Sequence, residues 1–202
     1  MTGVYFREKM TGRVSLRTDD PVVGYRSAGA VAASMHAEIV VDDVDEFIAG
    51  DVHEARLRAD LVIPVLGGRL LSGDGEFELF TRGKDPKGRP AQRMTYHATF
   101  ENAGRSFRMR AVKYLRPGSH LWRDTTTAYV TLTQITGDQD PERPFHGAGF
   151  IKISPGAFLA QLTTMRGFGD GASAAERRRA VLAYAGFFVR GLEKTYLRRT
   201  DW

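Results

Sequence analysis

The sequence predicts a mainly β (α+β) fold: an antiparallel meander closing into a roughly eight-stranded, lipocalin-like β-barrel, with a short inserted helix and two C-terminal helices. Three observations predict it. Apolar residues alternate with polar ones over Glu76–Thr81, Arg93–Phe100 and Phe107–Leu115, the period of a half-buried strand. Short turn signals such as Gly67-Gly68 and Pro117-Gly118 separate successive runs, as in an antiparallel meander. Beyond Ser154 the apolar period becomes helical. A barrel removes the open edges of such a sheet, and an eight-stranded one can hold one small ligand.

Residues 4–16 read as a first strand that ends before the turn Thr18-Asp19-Asp20-Pro21. Residues 21–34, rich in Gly, Ala and Ser without periodicity, read as a loop, and Met35–Val41 as the next strand. Asp42-Asp43 caps a short helix in which Val44, Phe47 and Ile48 fall at i, i+3 and i+4, and Gly50 stops it. Asp60–Leu66 is an apolar run broken by Pro64, which marks an edge or a bulge. Gly67-Gly68 turns the chain into Arg69–Leu71, and Asp74-Gly75 turns it again into Glu76–Thr81, with Phe77 and Leu79 on one face. Gly83–Pro90 reads as a solvated loop.

Arg93–Phe100 places Met94, Tyr96, Ala98 and Phe100 together, and Asn102-Ala103-Gly104 turns the chain. Phe107–Leu115 then aligns Phe107, Met109, Ala111, Lys113 and Leu115, a series that is apolar except at Lys113. Pro117-Gly118 closes the best-defined hairpin, whose second run passes through Trp122-Arg123-Asp124 into the β-branched stretch Thr125–Ile135. A polar loop, Gly137–Pro144, precedes a last strand, Phe145–Ile153. Ser154 as N-cap and Pro155 at the first helical position open a short helix with Phe158, Leu159 and Leu162 on one face. Gly167, Gly169 and Gly171 end it as a C-cap and hinge. Ser173 with Glu176 forms a capping box for a long helix with the stripe Val181, Tyr184, Ala185, Phe188 and Leu192. Lys194, Arg198 and Arg199 complement its C-terminal dipole. A single domain spans residues 1–202, with a helical cap over about 154–199.

The absence of cysteine excludes disulfides, thiolate metal sites and Cys nucleophiles. A net charge of +5, with enrichment only around Arg177, Arg178, Arg179, Lys194, Arg198 and Arg199, reads as a solvated helix face, so no nucleic-acid partner is expected. The N-terminal stretch carries Arg7, Glu8 and Lys9 and lacks an apolar core of signal-peptide length, and no run approaches the ~18 apolar residues of a membrane span. A cytoplasmic location is expected. The sequence contains no P-loop, G-x-S-x-G elbow, H-E-x-x-H or dinucleotide fingerprint. His36, His53, His97, His120 and His146 show no metal-ligand spacing. Neither a metal nor a cofactor is expected.

Chemistry concentrates in the Phe107–Thr136 hairpin. A lysine in an inward-facing series needs a carboxylate partner, and the hairpin suggests Asp124 as that partner for Lys113. The pair reads as a structural ion pair, or as the catalytic or orienting group of a pocket lined by Phe77, Tyr96, Trp122, Thr126 and Tyr129.

Five segments carry a resemblance: Glu8–Leu16, Val41–Gly50, Val65–Leu70, His120–Leu132 and Ile153–Arg166. Together they resemble an uncharacterised domain joined, in multidomain bacterial proteins, to cholesterol-oxidase-like oxidoreductases of the glucose–methanol–choline type and to an α/β-hydrolase domain. The resemblance implies lipid or steroid metabolism and a partner flavoprotein oxidoreductase. The chain has no flavin fingerprint of its own, so it does not read as the oxidoreductase. Three functions follow. The first is a binding or accessory domain for an apolar small molecule, lipid- or sterol-like. The second is a cofactor-free isomerase or cyclase using Lys113 and Asp124 with Tyr96 or Tyr129. The third is an interaction module that docks through its basic terminal helix. An internal cavity would favour the first two, and a lumen filled by side chains the third.

Overall fold

The computed structural model describes residues 1–102, 104–118, 120–136 and 145–197, apart from the side chains of Thr136 and Leu162. The elements run β1 (Gly3–Ser15), α1 (Pro21–Arg26), β2 (Val31–Val41), α2 (Val44–Ala49), β3 (His53–Ile63), a 3-10 turn (Pro64–Leu66), β4 (Gly68–Lys84), β5 (Pro90–Asn102) and β6 (Arg105–Leu115). They continue with α3 (Leu121–Thr126), β7 (Thr127–Thr136), β8 (His146–Lys152), α4 (Pro155–Thr164), β9 (Arg166–Phe168) and α5 (Ala174–Tyr196). Consecutive strands β1 to β8 pair antiparallel and β8 pairs back onto β1, so eight strands close into a barrel as expected. The ninth, β9, is an addition. No helix among the described residues is long and apolar enough to cross a membrane.

The inward positions follow the alternation of the sequence. Met10, Met35, Ile39, Leu57, Tyr96, Phe100, Phe107 and Met109 all have 0% exposure. A void able to admit water would leave accessible surface on the side chains around it, so these side chains fill the lumen.

One flank of the wall is incomplete. Along its outer edge β1 pairs with β8 at Thr11–Ser15 and with β9 at Gly3–Tyr5, leaving residues 6–10 between them. Strands β7 and β8 end at that level, since Lys152 lies opposite both Thr11 and Thr127. The helix α4 covers this breach, and the Arg7 amide donates to Thr164 Oγ1 at 3.0 Å in place of a strand partner.

Several elements differ from expectation for identifiable reasons. Residues 21–26 form α1, because Asp20 Oδ1 caps the amides of Val22 and Val23 and Pro21 takes the first helical position. A Cβ on Gly24 would lie 2.0 Å from Ala148 O, so the small residues that hide the period are what allow α1 to approach β8. Strand β3 starts at His53, its inward signal diluted by Ala55 and Ala59. Asp74-Gly75 is a bulge within a continuous β4: Ser72 faces Ala59 and Gly75 faces Leu57. Within the presumed solvated loop Asp85 is buried, accepting from the Lys87 and Arg89 amides at 2.9 and 3.0 Å.

Trp122–Thr126 is helical, and Thr125 and Thr126 return their hydroxyls to carbonyls of Leu121 and Trp122. The glycine hinge contains β9, whose Gly167 faces Val4. Leu159 is 64% exposed instead of sharing a buried face. The loop 137–144, Ala103, Arg198, Arg199 and the Leu162 side chain lie outside the described residues.

The helix α5 carries the expected capping box and packs Tyr184 against Phe6 and Phe47, with ring centroids at 5.6 and 5.9 Å. A second bulge, between Glu78 and Thr81, puts Phe80 at φ +58 and aims its ring at Phe187 and Phe188. A Cβ on Gly191 would meet that ring at 2.1 Å, whereas one on Gly186 would meet only the tip of Arg190. Gly191→Ala is therefore expected to destabilise the protein by about 1–3 kcal/mol. Gly186→Ala should instead stabilise it by roughly 0.5–1 kcal/mol through helix propensity. Urea unfolding midpoints of the two variants read the opposite signs.

Candidate functional site

Glu8 occupies an inward position of β1, in the series Val4, Phe6, Glu8, Met10. From there it reaches across the barrel to β5 and β6. Tyr96 OH donates to Glu8 Oε2 at 2.6 Å, and Lys113 Nζ donates to the same oxygen at 3.1 Å and to Tyr96 OH at 2.7 Å. From α4, Gln161 Nε2 donates to Glu8 Oε1 at 2.8 Å. Lys113 and Tyr96 are 1% and 0% exposed, and Lys113 Nζ also lies 5.1 Å from the Tyr96 ring centroid.

Burial, and then the Glu8 charge and hydrogen bond, push the Tyr96 hydroxyl well above its ordinary pKa. Burial and Glu8 push Tyr184 up as well. Both phenols therefore stay protonated, and Tyr96 acts as a donor. The lysine in the β6 series thus faces inward as its alternation predicts, and it is neutralised by a carboxylate on the opposite wall.

Behind α4 the cluster borders a groove of about 530 Å³ between that helix and the outer faces of β1, β2 and β3, with Glu8 and Gln161 among its lining. Its rim is a lattice of exposed charges: Arg7 pairs with Glu38 at 2.8 Å, Arg58 lies 3.8 Å from Glu38, and Arg69 pairs with Asp60. Such exposed pairs shape the rim more than they stabilise it. Gln161 Oε1 is buried without a hydrogen-bond donor among the described residues.

Asp124 is not the partner of Lys113. The helix α3 interrupts the expected hairpin and turns Asp124 toward Arg116 Nη2, at 3.1 Å, and the Tyr196 hydroxyl, at 3.2 Å. Arg116 also reaches Asp85 at 3.3 Å, and Arg89 holds Asp85 at 2.7 Å. This second network fastens the β4–β5 connection and α3 to the end of α5. Burial, then Asp124, raises the pKa of Tyr196, which keeps its proton for that bond. At Asp85 burial pushes the pKa up, but the hydrogen bonds from Arg89 and Lys87 outweigh it and hold the carboxyl down at about 2.

The five expected ligand-binding residues do not line a common cavity. Phe77 and Tyr96 pack at 4.9 Å inside the core. Trp122 is 46% exposed and meets Phe158 edge-on at 5.2 Å. Thr126 bonds the Trp122 carbonyl at 2.6 Å. Tyr129 has outward parity on β7, between Tyr114 at 5.2 Å and Phe150 at 4.6 Å. Glu8 and Gln161 escape the sequence reading, although Glu8 interrupts an apolar alternation just as Lys113 does. No group of three His, Cys, Asp or Glu side chains suited to a metal occurs among the described residues.

Lys113→Met should cost about 3–5 kcal/mol, because it strands Glu8 in the core. Adding Glu8→Gln to that variant should recover a large part of the loss, whereas Lys113→Met and Asp124→Asn should add within about 0.5 kcal/mol; a double-mutant cycle by urea unfolding separates the two cases. Asp85 has a folded pKa below its unfolded value of about 3.9, so its contribution is complete above about pH 4 and disappears as pH falls toward 2. Acid titrations of stability should therefore be flatter in that window for Asp85→Asn.

The chain matches no protein-family model, no curated protein and no solved structure.

Proposed function

We propose that the protein is a binding or accessory module for an amphipathic small molecule, lipid- or sterol-like, whose polar head enters beneath α4, and that it serves a partner flavoprotein oxidoreductase. The observation that carries this reading is the acceptor capacity at the groove. Among the described residues Glu8 Oε1 accepts from Gln161 alone, and Gln161 Oε1 has no donor. A hydroxyl arriving there would satisfy an acceptor whose isolation costs roughly 1–3 kcal/mol. A site built to receive a donor discriminates strongly against an analogue that lacks one.

The packed lumen, which taken alone favours the interaction module, removes the internal pocket and leaves the apolar body of the ligand outside the barrel. Outside the groove's own lining, α4 and α3 supply apolar surface: Leu159 and Trp122 are exposed, and Trp122 meets Phe158 edge-on. The oxidoreductase partner rests on the five-segment resemblance.

A cofactor-free isomerase or cyclase is favoured by one feature, the continuous hydrogen-bonded chain Lys113–Tyr96–Glu8. In that reading Glu8, which borders the groove, is the group that meets substrate, in place of Asp124.

Native mass spectrometry of protein from its own host, followed by titration of sterols and fatty alcohols beside their ketone and hydrocarbon counterparts, tests the proposal. Alcohols should bind at least about tenfold more tightly than either counterpart, and Gln161→Leu should remove most of that preference, an effect of roughly 1.4 kcal/mol or more. A clean apo mass with no binding across the panel would overturn the proposal, as would equal affinity for the hydrocarbons. Recovery of a rearranged ligand would assign the enzymatic reading.

A further inference from the structure

We propose that the outer wall of the barrel carries a second binding site, for a small planar carboxylate, between α1 and the β4–β5 connection. It is independent of the α4-covered groove. A recess of about 180 Å³ lies there, lined by Pro21, Pro86, Tyr114, Tyr129 and the cations Arg110 and Lys84. That volume equals roughly six waters at about 30 Å³ each, enough for one single-ring acid and too little for a lipid.

The charge of the recess is unbalanced in a specific way. Among the described residues its lining holds one carboxylate, Asp85, which is buried and engaged by Arg89 at 2.7 Å and Arg116 at 3.3 Å. Arg110 is half-buried and has no carboxylate within ion-pair distance among the described residues. Arg110 and Tyr114 share the outward parity of β6, and both line the recess. Burial raises the Tyr114 pKa, and the nearby positive charges of Arg110 and Arg93 oppose that rise. A guanidinium that lines a recess beside a phenol presents the planar fork that a carboxylate accepts two bonds from.

The walls favour a flat body on that carboxylate. Tyr114 and Tyr129 meet at 77°, so their rings form a corner, and Tyr129 is braced from behind by Phe150 at 4.6 Å. Phe150 is backed in turn by Tyr25 of α1 at 5.2 Å, which seats the helix that closes the recess at Pro21. A rigid aromatic corner beside a fixed cation supplies both contacts of a ring-bearing acid without rearrangement.

The test is an NMR titration of the full chain with benzoate, with benzamide as its neutral isostere and inorganic phosphate as a ring-free anion. Benzoate is expected to give saturable shifts at the Arg110 side chain and the Tyr129 ring. Benzamide and phosphate should give at least tenfold weaker binding. Arg110→Ala should abolish the benzoate response, and Arg110→Lys should restore only part of it. Gln161→Leu should leave it unchanged, which separates this site from the groove beneath α4. Absence of a saturable benzoate response overturns the proposal, as does equal binding of benzamide or phosphate. An unchanged response in Arg110→Ala, with that variant's spectrum otherwise native, overturns it as well.

Discussion

The contact between Glu8 on β1 and Lys113 on β6, bridged by the Tyr96 hydroxyl, constrains the rest of the barrel. Two opposite charges inside an apolar lumen are tolerable only as a pair with every remaining donor engaged. That requirement holds β1 in register against walls that it does not adjoin in the sheet, because a slip of one residue would carry Glu8 outside and leave the lysine alone. It also explains the place of α4. Glu8 lies where β1 has no strand neighbour on its outer edge, and Gln161 donates one hydrogen bond to the carboxylate from the helix that covers the breach. The same geometry that stabilises the interior thus brings a charged group to the one flank where the wall is built from side chains and a helix.

Closure of the barrel end depends on a different principle. The helix α5 is held at one end by aromatic packing of Tyr184 on Phe6 and Phe47, and at the other by polar contacts from Tyr196 to Asp124. Between them Phe80, in a left-handed backbone conformation, fills the space left by Gly191. An aromatic residue persists in that conformation only where its surroundings over-determine it. Here the bulge in β4 and the glycine in α5 do so together. The arrangement frees the lumen from any need for a ligand, because side chains fill it.

Much of this was legible in single residues. The alternation of Phe107, Met109, Ala111, Lys113 and Leu115 predicts the buried lysine, and the Ser173–Glu176 capping box and Asp43 cap predict their helices. The choice of Asp124 as its partner fails because α3 breaks the hairpin, and nothing local signals that Thr125 and Thr126 would bond backward within a helix. Glu8 carries the same signature as Lys113, so two misplaced charges in two apolar series are individually visible. Their pairing is not, because 105 residues separate them.

Periodicity, turn residues and caps therefore determine which segments are strands, which face of each is buried, and that a closed antiparallel barrel is the economical arrangement. These are consequences of local backbone geometry and of the two-residue repeat. Which charges meet, where the wall is left open, and whether the lumen is filled are decided only when the strands are wrapped around one another. Strand stagger and helix docking set those distances, and the free energy of a buried polar group depends on what lies within hydrogen-bonding reach, not on its neighbours in the chain.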